Sequence, residues 1–273
     1  MRSRVLALAI AAAAAALVIE AGAAIDPDAA ADPRAILDAR RRLYATAYTW
    51  ADQHQVLRVT TWDTAARSHE RTIELFERRY PDGARKALLG FLAPDEVKGM
   101  AVLSQERAGG APERWLYLPR QRRARRFAGQ MRDEGLLGTD LTAAELDLMR
   151  DSLGWSGAAL RPTLRGAERI LDVDAYALEV EGVGGYERVV LWVGAADLVL
   201  RQLELYEREP TAAKRIRQSD VRFIGRVPVP GRIEVENPRA GTRSRFDLVT
   251  VEVDSGFPDD VFSLPLLAAA KRE

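Results

Sequence analysis

Alternation between apolar and polar residues is the feature that most restricts how this chain can fold. The alternation has a period of two, which places one kind of side chain on one face of a β-strand. It occurs at Leu57 and Val59, Ile73 and Leu75, Leu89 and Phe91, Met100 and Val102, Trp115 and Tyr117, Tyr176, Leu178 and Val180, and Ile233 and Val235. Further strand-like segments occupy 122–127, 188–193, 198–206, 216–223 and 243–253. About eleven strands in one meander are therefore predicted.

The connections between these segments are short. Turn-forming residues lie at 81–83, 109–110, 182–185 and 230–231, and short connections favour antiparallel neighbours. One-sided alternation leaves one face of the sheet wet and requires a cover for the other. The chain offers no second sheet and no parallel crossover pattern, so the predicted cover is helical.

An amphipathic helix is predicted before the first strand. Asp32 and Pro33 form an N-cap and a proline in the first turn. Apolar residues then recur at helical spacing. They are Ile36, Leu37, Leu43, Tyr44 and Ala47.

A second helix is predicted after Thr142. Thr142 and Glu145 have the spacing of a capping box. Leu146 and Met149, followed by Leu153, share one predicted face, and Gly154 is a suitable end. Glycines at 129, 135 and 138 predict an adaptable loop upstream. Periodicity alone leaves two interpretations open, an ordinary surface helix packed on the sheet and a movable lid.

The N-terminus has the pattern of a secretory signal peptide. Arg2 and Arg4 precede an uncharged run at 5–19, and small residues follow at 21–23. The run has 15 residues, fewer than the ~20 that a membrane-spanning helix needs. Residues 1–23 are therefore predicted to be removed, leaving 24–273 as a single domain, soluble in the periplasm. The chain has no cysteine, which excludes disulfides and a lipid-modified N-terminal cysteine.

The composition gives little support for catalysis or nucleic-acid binding. Basic and acidic residues are equal at 40 each, whereas nucleic-acid binding calls for a basic excess. Two histidines and no cysteine cannot build the usual zinc sites. No nucleophile elbow, phosphate loop or dinucleotide fingerprint occurs. We therefore predict no catalytic residue, metal or cofactor, and a protein that is not an enzyme.

Five arginines lie within seven residues: Arg120, Arg122, Arg123, Arg125 and Arg126. Guanidinium groups pair bidentately with phosphate and carboxylate oxygens, so this run is a candidate site for anionic headgroups or an acidic partner. Two other interpretations remain open. The run is also consistent with a solvated strand balanced by Asp133 and Glu134, and with internal ion pairs that hold the lid loop closed.

Segment 115–146 combines three marks in order. A strand ends in Tyr117, Leu118 and Pro119, the basic run follows, and Gly138, Thr139 and Asp140 lead into the second helix. This order resembles the LolA-like outer-membrane lipoprotein-sorting family. The resemblance implies an unclosed antiparallel β-barrel, mainly β with α, covered by the N-terminal helix and a lid helix. It departs from the family in one respect, because no single arginine can be identified as the one that tethers the lid.

The resemblance implies a periplasmic carrier or chaperone that holds the acyl chains of a lipoprotein or lipid and moves them toward the outer membrane. An inner-membrane exporter is the implied partner, and a monomer is expected. The alternative is a periplasmic sensor that binds a lipidic or peptide signal and a membrane-protein partner. The predicted apolar cavity residues are Ile73, Leu75, Phe91, Trp115, Tyr117, Leu146, Met149, Leu178 and Trp192.

Overall fold

The computed structural model describes residues 32–47, 50–108, 110, 112–127, 135, 138–151 and 160–263. The predicted signal peptide, Gly129, Leu153 and Gly154 lie outside these residues. The helices are α1 (Pro33–Ala47) and α2 (Ala143–Asp151), with 3-10 turns at Pro119–Gln121 and Asp259–Phe262. The strands are β1 (Asp52–Trp62), β2 (Ser68–Arg79), β3 (Arg85–Ala93), β4 (Ala101–Glu106), β5 (Glu113–Leu118), β6 (Arg123–Phe127), β7 (Thr163–Ile170), β8 (Val173–Val183), β9 (Tyr186–Gly194), β10 (Leu200–Tyr206), β11 (Lys214–Ser219), β12 (Arg222–Ile224), β13 (Val227–Val229), β14 (Arg232–Asn237) and β15 (Thr242–Val253).

Thirteen strands form one sheet in the order β6-β5-β4-β3-β2-β1-β15-β14-β11-β10-β9-β8-β7. All neighbours in it are antiparallel. The pairing of β1 with β15 joins two halves, one containing β1 to β6 and the other β7 to β11 with β14 and β15. Among the described residues, β6 and β7 end the sheet and do not pair with each other. The predicted unclosed antiparallel barrel is confirmed.

The strand count differs from the prediction for two physical reasons. β7 is almost entirely exposed, so its sequence lacks the one-sided alternation that reveals other strands. The predicted strand at 216–223 is two strands, because Asp220 has a left-handed φ of 52° and ends β11. β12 then pairs with β13 in a separate hairpin.

Both helices pack on one face of the sheet, here called the inner face. Ile36 and Leu37 of α1 and Leu148 of α2 are buried in the main apolar cluster. The strands contribute to the same cluster from β8 to β14. These strand residues are Leu178, Val180, Val189, Leu191, Val193, Leu200, Leu203, Leu205, Ile216 and Val235. The predicted helical cover is therefore confirmed, and the core lies mainly under it.

The opposite, outer face of β2 to β6 is covered by the C-terminal strap, residues 254–262. Asp52 accepts hydrogen bonds from the backbone N–H groups of Ser255 and Gly256 at 2.9 and 3.3 Å. Phe262 is buried in an apolar cluster with Leu103 and Tyr117. The sheet of this half is thus apolar on both faces, and the strap hides the outer one.

Candidate ligand-binding face and lid anchor

The N-terminus of α2 is capped as predicted. The backbone N–H of Glu145 donates to Thr142 Oγ1 at 3.1 Å, and Glu145 Oε2 accepts from the backbone N–H of Thr142 at 2.7 Å. This reciprocal pair satisfies two amides that the first turn would otherwise leave free. It also fixes the Glu145 side chain at the start of the helix.

The inward face of α2 differs from the prediction. Leu148 is 5% exposed and Met149 is half-buried against the core, whereas Leu146 is 45% exposed. The reason is that Glu145 is fully buried and points inward. Neighbouring positions of a helix are rotated by roughly 100°, so the inward orientation of Glu145 turns Leu146 away from the sheet. The expected inner position of Leu146 is therefore wrong.

Glu145 is the centre of a buried polar network. Lys214 Nζ, at the start of β11, lies 2.7 Å from Glu145 Oε1 and 3.0 Å from Oε2. The Tyr186 hydroxyl donates to Oε1 at 2.5 Å. A buried carboxylate is tolerable only when donors replace the lost water, and here a cation, a hydroxyl and a backbone N–H do so. We call Asp140, Glu145 and Lys214 the lid anchor.

Asp140 fastens the segment before α2 to the inner face. Its carboxylate accepts hydrogen bonds from the hydroxyls of Thr242 and Ser244 on β15, the latter at 2.6 Å. Its backbone N–H donates to Ser244 Oγ at 2.8 Å, and its carbonyl accepts from Lys214 Nζ at 2.7 Å. These bonds give the Gly-Thr-Asp mark a physical role, since its aspartate docks the lid segment on the middle of the sheet.

Gly138 lies close to an arginine that sequence reasoning did not single out. Its φ is 79°, a conformation that favours glycine, and a Cβ there would stand 3.7 Å from Arg71 Nη2. Arg71 is on β2, and its Nη1 is buried with no hydrogen-bond partner among the residues that the structure describes. Lys214 was also missed. It is one of four lysines in the chain and lies two positions before Ile216. Residues two apart on a strand share a face, so the apolar Ile216 was the available signal that Lys214 faces inward.

An apolar row crosses the inner face between β2 and β5. The register pairs Leu75 with Leu89, Leu89 with Val102, and Val102 with Leu116. All four side chains are half-buried. Ile73 and Phe91, which pair with each other in the next row, are buried. The apolar row is therefore partly open, beside a buried pair.

The predicted cavity residues divide between the two faces. Leu75 lies in the apolar row, Ile73 and Phe91 beside it, and Leu178 under the helices. Trp115 and Tyr117 instead belong to the outer cluster beneath the C-terminal strap. Trp192 is also on the outer face, where its Nε1 donates to Glu168 at 2.6 Å. Of the predicted set, the structure therefore brings together Ile73, Leu75 and Phe91 on the inner face, while Leu178 lies on the same face in the other half of the sheet.

The arginine run is distributed over the end of β5 and the edge strand β6. Arg120 is in the 3-10 turn, and Arg122 follows it with a left-handed φ of 46°. Arg123 pairs with Leu118 and Arg125 with Leu116, which places both on the inner face. Arg126 is on the outer face and forms an ion pair with Glu113 at 2.5 Å.

A polar group borders the apolar row on β1 to β3. Glu77 lies 2.5 Å from Arg85 Nη2 and accepts from Gln53 Nε2 at 2.9 Å. Burial alone would raise the pKa of Glu77. The charge and hydrogen bond of Arg85, with smaller contributions from Arg79 and Gln53, outweigh burial and hold that pKa below its ordinary value. The carboxylate is therefore charged at neutral pH.

The described residues show neither a metal-binding cluster nor a membrane-spanning helix. No three or more histidine, cysteine, aspartate or glutamate side chains among them are grouped to hold a metal ion. Within the same residues, neither helix has the length and apolar composition required to cross a membrane.

Solved structures with the same fold come from several bacteria. A DUF1329 family protein from Desulfovibrio piger is 22% identical with a TM-score of 0.74, covering 86% of this chain and 98% of its own. A domain from Vibrio parahaemolyticus assigned to outer membrane lipoprotein sorting is 19% identical with a TM-score of 0.71, covering 88% and 99%. A LolA superfamily protein from Nitrosomonas europaea is 18% identical with a TM-score of 0.57, covering 85% and 97%.

Comparison of the sequence with protein families gives a match to one family model. No curated protein matches the chain. A family model with the description "Uncharacterized protein" matches residues 83–268, more than half of the chain. That match shows that the chain belongs to the family of this model, and the solved structures show that it has the LolA-like fold implied by segment 115–146.

Proposed function

We propose that this protein is a periplasmic carrier that holds the acyl chains of a lipoprotein or lipid on its inner face and moves them toward the outer membrane. The observation that carries the proposal is the apolar row of Leu75, Leu89, Val102 and Leu116, which stays half-buried beside the fully buried Ile73 and Phe91. A row of this kind supplies apolar contact without specific polar recognition.

Burial of acyl methylenes accounts for the binding energy such a site needs. Each buried CH₂ contributes about 0.8 kcal/mol, so a chain of roughly sixteen carbons could contribute on the order of 10 kcal/mol before ordering costs. An acyl chain on a half-open row keeps part of its surface in contact with water, so the free energy of binding is smaller than this estimate. Weaker binding of this type suits a carrier, since a carrier must also release its cargo.

The lid anchor supports a cover over this row. Phe127 ends β6 at the edge of the sheet, and Asp140 is bonded to β15 near its centre. Phe127 and Asp140 therefore lie on opposite sides of the apolar row. We include in the proposal a cover fastened by Asp140, Glu145 and Lys214, which would shield a bound chain from water.

The exposed arginines provide the second element of the proposal. Arg120, Arg122, Arg123 and Arg125 lie at the open edge of the sheet beside the row. We assign them to the anionic headgroups of cargo or membrane, or to an acidic partner such as an inner-membrane exporter. Interactions of this kind weaken with salt, because exposed charges are screened over about 10 Å at 0.1 M ionic strength.

A charge in the centre of the row tests the proposal. Val102→Asp places a carboxylate between Leu89 and Leu116, where an acyl chain would have to desolvate it at a cost of several kcal/mol. We expect lipids extracted from the wild-type protein, purified from its native envelope, to be depleted from the variant when both are analysed by mass spectrometry. Binding of a fluorescent fatty acid should fall by at least ten-fold.

Leu92→Asp is the matched control. Leu92 is on β3, as Leu89 is, but it is 37% exposed and outside the row. This variant should retain lipid, and thermal unfolding should show that Val102→Asp remains folded. Absence of any co-purifying lipid from the wild type, together with no binding of the fluorescent fatty acid, would refute the carrier function.

A further inference from the structure

The apolar row ends in an arginine. Leu116, its last member, pairs with Arg125 on the edge strand β6. At the opposite end, Leu75 pairs with Gln55 on β1. The apolar row is therefore bounded by a neutral amide at one end and by a guanidinium group at the other. This asymmetry distinguishes the two ends of any ligand that lies across the strands.

Arg123 and Arg125 are available to a ligand at that end. Both are exposed on the inner face, whereas Ala124 between them packs into the outer cluster. Arg125 Nη2 donates to the neutral side-chain oxygen of Gln121 at 3.1 Å. Neither arginine forms an ion pair with any residue that the structure describes, in contrast to Arg126, which pairs with Glu113 on the outer face.

The length of the apolar row, measured across the strands to β6, matches the length of one extended acyl chain. Neighbouring strands are about 4.8 Å apart, so the four steps from β6 to β2 span roughly 19 Å. Carbon–carbon bonds of about 1.5 Å at near-tetrahedral angles advance roughly 1.25 Å per carbon, so a sixteen-carbon chain is also about 19 Å long. A chain whose polar end lies at Arg125 would therefore end over Leu75, before Gln55.

We propose that the ligand of this site is an anionic amphiphile, whose carboxylate or phosphate headgroup pairs with Arg123 and Arg125 while one acyl chain crosses β5 to β2 on the apolar row. The inference rests on the proposed carrier function and specifies its ligand class and orientation. Guanidinium groups form charge-assisted, often bidentate hydrogen bonds with such oxyanions. Neutral amphiphiles with the same chain would gain only the apolar contact.

The test compares headgroups at constant chain length on the full-length protein. Palmitate, palmitoyl lysophosphatidate and hexadecanol are titrated by displacement of a fluorescent fatty acid at two salt concentrations. We expect the anionic ligands to bind the wild type roughly ten-fold more tightly than hexadecanol at low salt, and this preference to shrink at high salt. Tighter binding of lysophosphatidate would assign the site to phosphate, and tighter binding of palmitate to carboxylate.

Charge-matched variants separate the two faces of β6. The double variant Arg123→Gln/Arg125→Gln should lose the ten-fold preference and keep its affinity for hexadecanol. The control Arg126→Gln/Arg169→Gln removes the same charge outside the inner-face pair and should retain the preference, since Arg126 is on the outer face of β6 and Arg169 is on β7 at the other end of the sheet. Equal losses in the two double variants, or a wild-type affinity for hexadecanol equal to that for both palmitate and lysophosphatidate, would overturn the headgroup assignment while leaving the carrier function standing. Failure of all three ligands to bind would instead refute the carrier function.

Discussion

Lys214→Met should release the lid segment from the sheet. The methionine keeps the apolar length of the lysine stem but removes the ammonium group that contacts Glu145 at 2.7 Å and the Asp140 carbonyl at 2.7 Å. Glu145 would then remain fully buried, and the donors left to it among the described residues would be Thr142 N–H and the Tyr186 hydroxyl. In the variant, the closed lid therefore lacks the Lys214 ammonium group but still buries the negative charge of Glu145.

The expected cost follows from this burial. Removing one partner of a buried ion pair typically destabilises by 3–5 kcal/mol, because the remaining charge is uncompensated, so we expect about 3 kcal/mol or more here. Every 1.4 kcal/mol is a factor of ten, so the open population of the lid segment should rise roughly a hundred-fold or more. The double variant Lys214→Met/Glu145→Gln, in which both charges are absent, should recover much of this loss.

Amide hydrogen exchange measures the effect directly. Exchange of the α2 amides should accelerate in Lys214→Met while the buried strand β10 keeps its protection, and urea unfolding should report the global stability separately. Lys98→Met, at an exposed position, is the control. A loss below 1 kcal/mol, or equal acceleration in α2 and β10, would show that the anchor is not a local fastening of the lid.

Two further predictions concern single positions. Leu146→Asp should change the free energy of unfolding by less than about 0.5 kcal/mol because Leu146 is 45% exposed, whereas Leu148→Asp, at a site 5% exposed, should cost several kcal/mol; equal effects in urea titrations would contradict the observed orientation of α2. Glu77→Gln should reduce stability at neutral pH and lose that deficit in acid. The pKa of Glu77 is lowered on folding, so its contribution is complete above the ordinary value of 4.5 and disappears as the pH falls through the folded value; a difference between wild type and variant that grows on acidification would refute this sign.

Local patterns predicted the elements of the fold well. The period-two segments became strands, and the pair Thr142 and Glu145 formed the capping box. Antiparallel order followed from short turns. β7 was not predicted, because an exposed edge strand has no buried face that would require apolar residues at alternate positions.

The site was harder to predict because alternation tells which residues share a face but not which face. Trp115 and Tyr117 do share one, yet it is the outer face, which the C-terminal strap covers. Residues far apart in the chain create that cover, so no local pattern could reveal it. Glu145 was missed as an inward residue for a related reason, since its partner Lys214 is 69 positions away.

The open ends of the sheet have a consequence for how the protein avoids self-association. Among the described residues, β6 and β7 present strand edges whose backbone groups could template another chain, a recognised route to aggregation. Both edges are dense in charge, with Arg123, Arg125 and Arg126 on β6 and Arg165 and Arg169 on β7. Two β6 edges from neighbouring molecules would bring like charges together. An arginine-rich border therefore lets a sheet remain unclosed at the concentrations of a crowded compartment.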